Sequence, residues 1–281
     1  MVRRIICLLV LFTAAAQGAD MEPKKAYYGK FFTKDLERGD RPVSMILFEI
    51  LTGAHTPKAG DFDIVGEDCA GPNCYRHTAV GYKRAREFLF GDFYLVKDGA
   101  EYGVKDVYCD RIAKSGEFNG EKPGPNVIPD HRVVNAEHTW PQSQFSRQFP
   151  GEDQKSDMHH LFPTDSEMNS KRSSFEFGDV VEKAEELKCP ESRFGKPRSG
   201  KSYVFEPPMD QKGNTARALF YFSVRYGMKV DAEEEATLRE WNKLDPVDAE
   251  EMDRNERIFK LQKSRNPFVD YPELVEKIKD F

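Results

Sequence analysis

Runs of apolar positions of different period divide this chain, and each predicts an element. Residues 5–16, IICLLVLFTAAA, are apolar without interruption and follow Arg3 and Arg4. A basic start, an apolar centre and the small-x-small stretch Ala16-Gln17-Gly18 read as a secretory leader, residues 1–18. The run is shorter than the ~20 residues of a membrane-spanning helix. No later segment could cross a bilayer, so after leader cleavage no membrane contact is expected. RPVSMILFEILTG (41–53) is densely apolar between a first-turn proline and a terminal glycine, which predicts a deeply buried helix.

Residues 60–130 read as irregular. Short apolar or β-branched runs, REFLFGDFYLV and KDVYCD, alternate with Gly-, Asp- and Pro-rich turns, and 114–130 reads as a mobile loop. HRVVNAEH (131–138) carries the Val133-Val134 pair and predicts a strand that leads to Glu137 and His138. PTDSEMNSKRSSF (163–175) predicts a helix capped by Thr164 or Asp165, with Asn169 turned inward. Residues 191–214 read as a second loop. TARALFYFSVRYG (215–227) and AEEEATLREWNKL (232–244) predict helices, and Asp245-Pro246 predicts the start of a third, to about residue 262. Short strands, long loops and several helices predict an α+β fold, with residues 19–281 forming a single domain.

Composition fits this picture. The chain has 281 residues, 21 of them Phe, enough for a sizeable core. The formal charge is −6, and removal of Arg3 and Arg4 with the leader makes it about −8. Any binding of a polyanion therefore needs a local basic patch. Outside the leader four cysteines remain: Cys69, Cys74, Cys109 and Cys189. An even number in an exported chain predicts disulfides. The favoured pairing is Cys69–Cys74, which brackets the turn sequence AGPN, with Cys109–Cys189.

The candidate chemistry lies between residues 137 and 169, which hold Glu137, His138, Asp157, His159, His160 and Asn169. A carboxylate and an amide oxygen suit a hard divalent cation. A neutral imidazole beside them can take a proton from water near pH 7. Phosphodiester hydrolysis needs these parts: an activated water and a cation to neutralise the leaving oxygen. Neighbours on a strand face opposite ways. Glu137 and His138 can therefore serve one phosphate only if the strand ends there, which the Trp140-Pro141 corner permits.

NAEHTWPQSQF followed by SDMHHLFPTDSEMNSKRSSFEFG resembles the paired signature of the endonuclease I family, exported bacterial nucleases with a ββα-metal (His–Me finger) site. The likeness extends to KGNTARALFYFSVRYG (212–227) and RNPFVDYPELVE (265–276), and the N-terminal third matches only loosely. The resemblance implies a ββα-metal core embedded in a mainly helical domain with long loops. It implies His138 as general base and Glu137 and Asn169 as ligands of one divalent metal, Mg2+ with Mn2+ or Ca2+ as alternatives. It implies a monomeric, periplasmic or secreted endonuclease acting on DNA, and also RNA, without sequence preference and leaving 5′-phosphates. An Arg supports the phosphate in this family, and the candidates are Arg172 and Arg217. Arg217, in an apolar helix, has the second option of pairing with a buried carboxylate.

Other readings are simpler. His159 and His160 are expected behind the reacting groups, and Asp157 either orients a histidine or caps a turn. Trp140, Phe145, Phe162 and Phe175 are expected in the core. The basic loops KPRSGK (196–201) and NSKR (169–172) are the candidate phosphate contacts. Two other functions stay open: a metal-dependent phosphodiesterase on small esters, and a catalytically silent nucleic-acid-binding protein on the same fold. The absence of H-E-x-x-H argues against a zinc protease.

Overall fold

A computed structural model describes residues 23–281 apart from Ala70. The expected leader, residues 1–18, lies outside the described residues. Three helices come first: α1 Pro23–Tyr27, α2 Phe32–Arg38 and α3 Val43–Thr52. In α3 the prediction holds for the bounds, with Pro42 at the N-cap and Gly53 closing the end through a bond to the Glu49 carbonyl. Burial is one-sided, however. Ile46, Leu47, Ile50 and Leu51 are covered, whereas Met45 and Phe48 stay exposed. A short antiparallel pair follows, β1 Ala54–Thr56 with β2 Ile64–Gly66.

The next segment corrects the sequence reading. REFLF is helical: α4 spans Tyr82–Phe88 and runs into a widened turn, Leu89–Phe93. Ala85, Leu89 and Phe90 are buried while Lys83 and Arg84 are exposed, but the helix is only seven residues long, too short for its period to show. Then β3 Leu95–Asp98, β4 Glu101–Asp106 and β5 Arg111–Lys114 form an antiparallel sheet in that order. The 114–130 loop is tied down. The Asn126 amide donates to the Gly91 carbonyl at 3.1 Å. A Cβ on Gly91 would lie 2.5 Å from the Asn126 nitrogen, so this approach requires glycine.

The strand expected at 131–138 is β6 Val134–His138. After α5 Gly151–Lys155 the chain returns as β7 Leu161–Asp165 and enters α6 Ser166–Arg172. β6 and β7 pair antiparallel from Val134↔Asp165 to His138↔Leu161. Asp165 caps α6 through the Glu167 and Met168 amides. The Val107 amide donates to the Pro163 carbonyl at 3.0 Å and joins the end of β4 to β7.

The stretch 191–214, read as a second loop, contains two strands of a four-stranded sheet and the first turns of a helix expected only from 215. β8 Glu176–Phe177, β9 Glu182–Lys183, β10 Arg193–Lys196 and β11 Val204–Glu206 form one sheet in the order β8-β11-β10-β9. Its strands have two to four residues each, too short for a visible alternation. Four helices close the chain: α7 Met209–Tyr226, α8 Ala232–Leu244, α9 Ala249–Gln262 and α10 Pro267–Asp270. Asp248, not Asp245, caps α9. Asp245 instead accepts from the Gly213 amide at 2.8 Å. α7 is buried on nearly every side, and each covered Phe or Tyr there contributes roughly 1.5–3 kcal/mol.

The apolar residues form two clusters. The larger gathers α3, α7, α8 and the C-terminus and includes Trp140, Phe162 and Met168. The smaller holds Ala85, Leu89, Val104, Val134 and Leu161. β6 and β7 lie between them, fixed from both sides. Both expected disulfides are present, Cys69–Cys74 and Cys109–Cys189. The structure is thus a mixture of helices and small sheets, α+β as predicted. Among the described residues no helix is long and apolar enough to cross a membrane.

Candidate active site

Alternation along β6 puts Asn135 and Glu137 on one face. α6 lies across that face and meets it at two rungs. Asn169 Nδ2 donates to Asn135 Oδ1 at 2.7 Å, and Arg172 Nη1 donates to Glu137 Oε1 at 2.8 Å. Three residues of helix rise about 4.5 Å and two residues of strand about 6.6 Å, so the spacings match closely enough for side chains to bridge. Asp165, which caps α6, also fixes the helix start against β6, since it faces Val134 in the ladder.

Glu137 is 2% exposed. Its Oε1 carries both protein bonds, from Arg172 and from Tyr108 Oη at 2.9 Å. Burial pushes its pKa up, with Arg172 and Tyr108 acting against that. Oε2 accepts from no protein donor among the described residues. A buried carboxylate with one oxygen free suits a hard divalent cation, and Asn169, one helical turn before Arg172 on α6, offers an amide oxygen on the same side of β6.

His138 is set by the end of the strand. The Thr139 amide still bonds to the His160 carbonyl at 3.1 Å. Trp140 then stacks on Phe222 with centroids 5.2 Å apart, and Pro141 ends the ladder. The His138 ring packs on Tyr82 at 5.5 Å and on His160 at 5.2 Å. Nε2 lies 3.0 Å from the Lys155 carbonyl. A carbonyl only accepts, so Nε2 bears the hydrogen and Nδ1 keeps the lone pair. Gln142 Nε2 reaches Nδ1 at 3.3 Å. Burial holds the imidazole pKa down at about 3, so the ring is neutral at pH 7.

The remaining candidates fall elsewhere. Arg172 is 2% exposed and donates to the His138 and Thr139 carbonyls as well as to Glu137. It braces the end of β6. Arg217 is fully buried and pairs with Glu251 at 2.6 Å, away from Glu137 and His138. Of its two options, pairing with a buried carboxylate is the one realised. His160 lies behind His138 and donates through Nε2 to the Gln154 carbonyl at 2.7 Å. His159 donates to the Ser264 carbonyl at 3.0 Å and packs on Tyr221. Asp157 caps the turn through the His159 amide and accepts from Tyr221, Tyr226 and Gln262. Its role is therefore capping and anchoring, with no bond to an imidazole ring.

Among the aromatics, Phe175 departs from expectation: it is 38% exposed and packs on Phe194. The basic loop NSKR offers no free cation, because Lys171 pairs with Glu185 at 2.7 Å and Arg172 is buried.

Cations reach the site from α4, which the sequence reading passed over. Tyr82 carries Arg86 at 4.6 Å and Lys155 at 4.6 Å over its ring. Arg86 Nε is buried and has no hydrogen-bond partner among the described residues. A cavity of about 240 Å³ is lined by Tyr82, Arg86, His131, Asn135 and Asn169. The basic run Tyr82-Lys83-Arg84-Ala85-Arg86 was the available signal. Tyr108 and Gln142 carried none, because each acts through contacts made only on folding. Cys109, Asp165 and Cys189 also approach with metal-ligand spacing. Both sulfurs belong to the disulfide, so neither is a thiolate and the group is no metal site.

A family model described as Endonuclease I matches residues 75–273 of the chain. An extracellular ribonuclease of Bacillus subtilis is 37% identical over 165 residues, 51% of this chain and 53% of that protein. An extracellular deoxyribonuclease of Aeromonas hydrophila is 36% identical over 115 residues, 41% of this chain and 48% of that protein. A periplasmic deoxyribonuclease of the same organism is 33% identical over 118 residues, 41% and 47% respectively. The chain spans about half the length of these curated relatives.

Proposed function

Since the chain belongs to the endonuclease I family, we propose that it is an exported, divalent-metal-dependent endonuclease that cleaves DNA and RNA without sequence preference and leaves 5′-phosphates. In this reading residues 1–18 are a leader, 19–281 form one domain, and the monomer works in the periplasm or outside the cell. The β6–β7–α6 unit is its ββα-metal core. Relatives named as ribonuclease and deoxyribonuclease support the breadth of substrate. The observation that supports the reading is the pair of rungs between α6 and β6, Asn169 on Asn135 and Arg172 on Glu137, at the end of the strand where His138 keeps the lone pair of Nδ1.

Glu137 Oε2 and Asn169 Oδ1 would hold the cation, most simply Mg2+. When bound, it supplies charge neutralisation at the scissile phosphate and leaving oxygen. His138 Nδ1 takes the proton of the attacking water. The imidazolium that forms keeps its Nε2–H on the Lys155 carbonyl, which steadies it. The water oxygen bonds to phosphorus and the bond to the 3′-oxygen breaks. An arriving phosphate raises the low pKa of His138 towards neutrality. Arg86 donates to the non-bridging oxygens, the role the sequence reading gave to Arg172 or Arg217. Arg86, Lys155 and the exposed Lys83 and Arg84 form the local basic patch that an acidic chain needs.

Supercoiled plasmid and single-stranded RNA, incubated with the protein and Mg2+, test this. Nicking should stop with EDTA and fall about 10²–10⁴-fold in His138→Ala. Unchanged nicking by His138→Ala would remove it as the base. Tight binding without cleavage by the wild type would identify a silent nucleic-acid-binding protein. Hydrolysis of small diesters alone would identify the phosphodiesterase.

A further inference from the structure

Asn135 has no role in the mechanism above, yet its side chain makes the bond that decides how Asn169 faces the cavity. A side-chain amide has two unlike ends: the nitrogen donates and only the oxygen can hold a cation. Asn169 Nδ2 is committed to Asn135 Oδ1 at 2.7 Å. Both residues line the cavity between α4, β6 and α6, and no protein donor among the described residues engages Asn169 Oδ1. With the nitrogen held on the strand, the oxygen is the end left for a cation.

We propose that Asn135 is a positioning residue that fixes the amide of Asn169 with its oxygen towards the metal. Without this bond the amide can turn, and part of the population presents nitrogen. Groups that orient a ligand in this way change metal affinity about 10–100-fold when removed. The inference rests on the proposed ligand role of Asn169, and the test separates the two.

Mn2+ binding is measured by calorimetry on the free protein, with thermal melts as the folding control. Asn169→Ala should weaken Mn2+ at least tenfold. Asn135→Ala should weaken it about tenfold, and Asn135→Asp, which keeps an acceptor oxygen, should restore it. The decisive background is Asn169→Asp. A carboxylate presents oxygen from either end, so orientation no longer matters, and adding Asn135→Ala should change affinity less than twofold. Equal losses from Asn135→Ala in the wild type and in the Asn169→Asp background would overturn the proposal and leave Asn135 as packing. No loss in Asn169→Ala would overturn the ligand role itself. Loss in Asn169→Ala with none in Asn135→Ala would overturn the orienting role alone.

Discussion

The guanidinium of Arg172 meets the carboxylate of Glu137 at 2.8 Å, with each side chain 2% exposed. The same guanidinium also takes the carbonyls of His138 and Thr139. One side chain at the end of α6 thus fixes the last residues of β6 and the one beyond. The charge of Glu137 is tolerated in a dry place because Arg172 and Tyr108 face it.

Removing Arg172 leaves an uncompensated buried carboxylate and two orphaned carbonyls. Arg172→Met should cost about 3–5 kcal/mol, read as a lower urea midpoint with unchanged m-value. The double variant Arg172→Met/Glu137→Gln should recover part of that loss, since it removes both charges. A double variant as unstable as the sum of the two single variants would show that the ion pair is not what Arg172 provides.

Arg86, on α4, lines the cavity shared with Asn135 and Asn169, with its buried Nε unpartnered among the described residues and Tyr82 under its guanidinium. Arg86→Ala should lower kcat for plasmid nicking by about 10²-fold, the usual loss for a donor aimed at developing charge. The thermal midpoint should move little. Equal rates for Arg86→Ala and wild type would return the search for the phosphate contact to Lys155 and Arg84.

These two arginines show what the sequence could and could not disclose. β6 and the capped start of α6 were legible because their signals are local: β-branched residues, then Asp165 ahead of two free amides. α4 was not, because its seven residues span barely two turns, too few for one buried position, Ala85, to mark a helical period against the exposed Lys83 and Arg84. Arg172 and Asn169, three apart on α6, share the face that meets β6. Sequence spacing gives that proximity but not depth, and the side chain turned out to brace the strand from beneath. Arg86 precedes Asn135 by some fifty residues, and only folding brings the two to one cavity. The chain is acidic overall while its cations near the site collect on α4 and α5, an uneven distribution that net charge conceals.

Gly213 permits the crossing of α7 with the end of α8. A Cβ there would lie 2.0 Å from the Asp245 carbonyl oxygen and 2.8 Å from the Arg217 guanidinium. Backbone on one side and a fully buried ion pair on the other cannot both retreat. Gly213→Ala, which by helix propensity alone should stabilise by about 1 kcal/mol, should instead destabilise by about 1–3 kcal/mol. A raised melting temperature would show that the two helices separate at little cost.

Acid should unfold this protein well above the range of ordinary carboxylates. Burial lowers the pKa of His159 to about 3 and of His160 to about 4. An unfolded histidine titrates near 6.5, so below that pH the unfolded chain binds protons that the folded chain refuses. Stability contributed by these rings is complete above about pH 6.5 and falls as pH drops towards about 4. Each ring adds a slope of about 1.4 kcal/mol per pH unit. Asp157 acts in the same direction lower down. Burial alone would raise its pKa, but the histidine rings and Arg225 nearby outweigh that and hold it below the usual value. Its contribution is therefore present above about pH 4 and lost beneath it. Urea midpoints should decline steadily from pH 7 to pH 4.5. In His159→Gln, whose amide can still donate to the Ser264 carbonyl, the decline should be shallower by about one proton. An unchanged slope in that variant would mean that His159 is protonated in the native state and that the pocket around Tyr221 and Ser264 accommodates the charge.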